Sequence, residues 1–147
     1  MKFFKEFISS RTVPYYIGLG VALVAFVGGI VCGAGLSFAG PAFIATILTL
    51  IGFLVYVGVP LLGYDRAAAS VSAGCTFAAF VALICSVYEH FLTEVQNQAM
   101  GGFDIGAVKG FYLLIASAVI LLVAAIAGNV FVWLPLRKKP AAQPAAA

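Results

Sequence analysis

The sequence predicts an all-α fold: an integral-membrane, antiparallel bundle of four transmembrane helices with both chain ends on the cytoplasmic side. Three observations predict it. Charged residues make up 9% of the 147 residues, against a hydrophobic fraction of 64%, and the mean hydropathy is +1.15. Soluble domains carry far more charge than that. The Asp, Glu, Lys, Arg and His residues are also confined to the ends of long apolar stretches. None occurs between Thr12 and Tyr64, Ala67 and Tyr88, or Gly110 and Leu136. At about 1.5 Å of rise per residue, roughly 20 apolar residues cover a hydrocarbon core of about 30 Å. The first stretch therefore crosses twice and the other two once each.

Lys2, Lys5 and Glu6 alternate with Phe3, Phe4, Phe7 and Ile8 at helical spacing, which suits a short helix lying in the interface. The first span runs over 13–36, with Tyr15 and Tyr16 at headgroup level. Ser37-Phe38-Ala39 has the small-x-small look of a cleavage site. The apolar run before it is about twice the length of a signal-peptide core, so the reading is a retained anchor. Gly40 and Pro41 punctuate the turn into the second span, 42–63, where Pro60 should kink the helix or free a carbonyl near its end. Tyr64-Asp65-Arg66 reads as a short hydrophilic connection. The third span is 67–88, and its helix should continue out of the lipid through Glu89, His90 and Glu94 towards Gln98. Gly101-Gly102 ends it, Asp104 caps the last helix, and the fourth span is 107–134. Residues 1–139 thus form a single four-span domain, and the Pro/Ala tail 140–147 has no apolar face to bury and should be disordered.

Orientation follows from the basic residues. With the N-terminus inside, Lys2, Lys5, Arg11, Arg66, Arg137, Lys138 and Lys139 are cytoplasmic and only Lys109 is outside. Short loops biased this way set topology. The net charge of +3 therefore points to a bilayer as partner and not to nucleic acid.

Helix association is legible as two small-residue ridges. Ser70, Gly74, Ala78, Ala82 and Ser86 recur at every fourth position of the third span. They drift around the helix by roughly 40° per step. The first span has Ala25, Gly29 and Gly33, with Gly28 beside them. Such faces let backbones approach closely in lipid. Either the two ridges pack on each other inside the monomer, or one is left as an interface for a homo-oligomer or a larger membrane protein. The first reading is the expected one.

Chemistry is hard to find. Ion-coupled carriers need an ionisable group within the membrane, and the spans hold none; Tyr56 and Asn129 are expected to make inter-helix hydrogen bonds instead. Cys75 and Cys85 are about 15 Å apart along one helix, too far for a disulfide. Cys32 and Cys85 share a depth, but a buried Cys is usually a small apolar side chain. The lone His90 excludes a haem held by two histidines of one chain. On the outer face, Glu89, His90, Glu94 and Asp104 form the one polar cluster. Only His90 and Glu94 are assured of touching, at i and i+4; three converging ligands would be needed for zinc. The cluster reads as a solvated helix end or a recognition surface. No catalytic, metal or cofactor site is expected. The function expected is non-enzymatic: an accessory, assembly or interaction subunit of a membrane complex, with an oligomeric channel or small transporter as the alternative.

Overall fold

The computed structural model describes residues 8–35, 40–98 and 111–137. Its four long helices are α1 (Val13–Gly35), α2 (Pro41–Gly58), α3 (Asp65–Gln98) and α4 (Phe111–Trp133). Each is long and apolar enough to cross a membrane. α3 is the longest, at 34 residues, or roughly 51 Å of helix. It continues past the span expected from sequence, as its amphipathic outer end suggested.

Glycine and proline set the boundaries between elements. Gly40 takes φ 54° immediately before Pro41, which occupies the first turn of α2, where its fixed φ and missing N–H do no harm. At Pro60, where a kink or a freed carbonyl was expected, the chain changes helix type. The helix tightens into a 3₁₀ turn, Val59–Leu62, closed by Gly63 at φ 92°. The connection expected at residues 64–66 is shorter than the sequence implied: α3 already begins at Asp65.

The helices run up, down, up, down. Thr12, just before α1, donates its N–H to the carbonyl of Leu136, just after α4, at 3.3 Å. Arg11 reaches Pro60 at the end of α2 and Asp65 at the start of α3. One end of the bundle therefore gathers the start of α1, the end of α2, the start of α3 and the end of α4. Around the bundle, α1 packs on α2 and α4, and α3 packs on the same two helices; α1 and α3 lie across the diagonal and touch only lightly.

Packing is inverted relative to a soluble bundle. The buried side chains are mostly small: Ala25, Ala42, Ala45, Ala79 and Ala124, with Leu83, Leu114 and Leu121 between them. Large apolar residues such as Leu23, Val24, Phe43, Leu54, Phe77, Val123 and Trp133 point outwards. A water-soluble chain buries its large apolar groups. In lipid no such drive exists, and close approach of small residues holds helices together.

Candidate functional site

The ridge on α1 is buried as expected, but against different helices. Ala25, Gly29 and Gly33 are all buried. A Cβ on Gly29 would overlap the Thr49 side chain of α2, and one on Gly28 would come within 2.8 Å of Ile120 on α4. Thr46 of α2 adds a hydrogen bond, donating to the Gly29 carbonyl at 2.8 Å. The α3 ridge does not face it. Ser70, Gly74 and Ala78 are exposed, Ala82 is half-buried, and nothing lies within 4 Å of a Cβ placed on Gly74. The expectation that the two ridges pack on each other is thus corrected. In a square bundle, α1 and α3 are diagonal, and α3 turns Ala69, Ser72, Ala73, Thr76 and Ala79 inwards instead.

Polar groups within the helices are largely self-satisfied. The buried hydroxyls of Thr49, Thr76, Ser86 and Ser117 donate to carbonyls three or four residues earlier in their own helices. Asn129 is exposed and donates to the Ala125 carbonyl at 2.8 Å, not to another helix as expected. Tyr56 does bridge helices: its hydroxyl donates to the Tyr15 carbonyl at 3.2 Å, and the two rings stack with centroids 5.5 Å apart. Gly18 makes room for this, because a Cβ there would overlap the Tyr56 hydroxyl. The space enclosed between the helices beside Tyr56 is only about 10 Å³, close to the minimum needed for one water.

The residues that sequence reasoning missed as a site lie directly beyond this tyrosine pair. Arg11 is 2% exposed and Asp65 8%. The Arg11 Nη1 donates to Asp65 Oδ1, and Nη2 donates to the Pro60 carbonyl at 2.8 Å. Its guanidinium carbon lies 5.2 Å from the Tyr15 ring centroid, within cation–π range. The second carboxylate oxygen, Oδ2, takes Arg137 Nε at 3.1 Å, with the Arg137 side chain 54% exposed. Backbone pairing backs the arrangement: Arg11 and Arg137 form an isolated antiparallel bridge, and Thr12 Oγ1 donates to the Pro135 carbonyl at 2.5 Å. Asp65 thus joins the start of α3 to the flanks of α1 and α4, and Arg11 brings in the end of α2 through the Pro60 carbonyl. Desolvating these charges is costly, and only good geometry with further hydrogen bonds offsets it. Asp65 gains additionally from lying in the first turn of α3, where the helix dipole favours an anion. A signal was present in the sequence: Arg11, Asp65 and Arg137 all border spans on the face to which the basic residues were assigned.

Next to the cluster is a cavity of about 460 Å³, lined by Tyr64, Arg66, Pro135, Leu136 and Arg137 among others. An apolar groove of about 560 Å³ runs between α1 and α4, along Ile17, Gly20, Val24, Val119 and Val123.

The polar cluster expected at the other end is only partly described. Glu89 is exposed on α3. The backbone at His90 and Glu94 continues that helix, while their side chains, and Asp104 altogether, lie outside the described residues. No group of three or more metal-binding side chains occurs among the described residues. Cys32, Cys75 and Cys85 are free thiols, with Cys32 buried and Cys85 exposed. No protein-family model, curated protein or solved structure matches the chain.

Proposed function

We propose that this chain is a small multi-pass membrane protein with both termini in the cytoplasm. It works by helix contact with another membrane protein, as an accessory or assembly subunit, and not by catalysis. Insertion is supported by the four apolar helices and the outward placement of their large side chains. Orientation is supported by the excess of Lys and Arg on one side.

The observation that carries the contact role is the outward small-residue face of α3. Ser70, Gly74 and Ala78 are exposed, and Gly74 has open space before it. Beside Tyr56 the space between the helices is about 10 Å³, and the buried hydroxyls of Thr49, Thr76, Ser86 and Ser117 bond within their own helices, which favours contact over conduction through a single copy.

A tagged full chain purified from its native membrane tests the role, with Gly74→Leu as control and thermal unfolding as the check on folding. A defined partner recovered with the wild type and lost with G74L supports it. Recovery of the chain alone in both cases, with solute flux in liposomes, supports the channel instead.

A further inference from the structure

We propose that the cavity beside the Arg11–Asp65–Arg137 cluster binds the phosphate headgroup of an anionic phospholipid. The cluster supplies more positive charge than it uses. Arg11 and Arg137 both pair with the single carboxylate of Asp65, and Arg66 lines the adjoining cavity with Arg137. Arg11 is committed to Asp65 and to the Pro60 carbonyl. Arg137 gives only its Nε to Asp65, and its Nη2 lies over Gly63, 3.8 Å from where a Cβ would stand. Arg66 is exposed and makes no ion pair among the described residues. Both Arg66 and Arg137 line the cavity of about 460 Å³. Asp65 lines it as well, with each of its oxygens facing a guanidinium, so the three arginines outweigh its single negative charge. Planar guanidinium forks suit phosphate oxygens.

Position selects a lipid as the source of that phosphate. The cavity opens where α3 begins and α4 has ended, beside Tyr64; Tyr64 and Trp133, the last residue of α4, are 66% and 85% exposed. Aromatic side chains of this kind sit at headgroup depth. Pro135 and Leu136 give the cavity an apolar wall suited to the glycerol and upper acyl region. Anionic lipids are concentrated on the cytoplasmic leaflet, where basic pockets between helices recognise them. The site presupposes the membrane reading but not the partner reading, since it lies at the bundle end and not on the α3 face.

Native mass spectrometry of the full chain in detergent tests the site, using phosphatidylglycerol, phosphatidylcholine and inorganic phosphate as probes. The wild type should retain phosphatidylglycerol in preference to phosphatidylcholine. Arg66→Gln should weaken that preference about fivefold, the effect of one basic side chain near a membrane surface, while Arg66→Lys largely keeps it. Arg137→Lys keeps the charge facing Asp65, removes the fork, and should also weaken retention. Equal lipid retention by wild type and R66Q, at equal thermal stability, would overturn the proposal. So would displacement of the lipid by millimolar inorganic phosphate, which would mark a site for a soluble anion. A chain that stays dissolved without detergent would overturn the membrane reading as well, and is distinguishable from either result.

Discussion

Arg11 and Asp65, 54 positions apart in the chain, meet as a buried ion pair on which the ends of all four helices converge. A charge pair taken out of water stabilises little in itself, yet it is severe to break, because the surviving partner is left uncompensated. The pair fixes which helix ends are neighbours.

Asp65→Asn should therefore destabilise the bundle by about 3–5 kcal/mol, the usual cost of orphaning a buried charge. Arg137→Gln should cost less than about 1 kcal/mol, since that arginine is half-exposed and screened. Replacing Arg11 and Asp65 together by Met and Leu should recover much of the D65N loss. Unfolding in detergent reads all three, and equal losses for D65N and R137Q would refute this ranking.

The two glycine ridges should respond in opposite ways. Gly29 abuts Thr49, so Gly29→Leu overpacks the bundle at a cost of about 1–3 kcal/mol or more. Gly74→Leu adds a side chain into open space and should leave monomer stability within about 0.5 kcal/mol. Comparable melting losses in both variants would contradict the square arrangement.

Tyr56→Phe removes one inter-helix hydrogen bond and should cost about 1 kcal/mol. Gly18→Ala should cost more, because it drives a methyl into the space the Tyr56 hydroxyl occupies. If G18A were neutral by thermal unfolding, the close approach of α1 to α2 would be wrong.

All three cysteines should be alkylated when the chain is denatured without reductant, giving a triply modified mass. A mass lower by two modifications would reveal a disulfide and require α1 and α3 to adjoin at that depth.

Much of the fold was legible because the uncharged runs supply four stretches long and apolar enough to cross a bilayer, and Gly and Pro mark where they stop. Gly40 with Pro41 marks the start of α2 and Gly63 the end of the second span, while Pro60 gives a 3₁₀ turn where a kink or a freed carbonyl was expected. That helices joined by short connections are antiparallel neighbours was legible, but which faces meet was not. Small residues at Ala25, Gly29 and Gly33 announce a close contact but not its partner, and Thr49, which fills the space before Gly29, has no periodic signature. Asp65 was misread for a related reason. A charge at a span boundary looks like a solvated turn until the fold brings Arg11 and Arg137 to it.

If lipid surrounds the four helices, their linked ends and basic flanks should all lie on the cytoplasmic face. A reporter active only in the cytoplasm, fused after Ala147 and compared with one active only outside, measures this. The cytoplasmic reporter should be active and the exterior one silent. Activity of the exterior reporter alone would contradict the four-span topology.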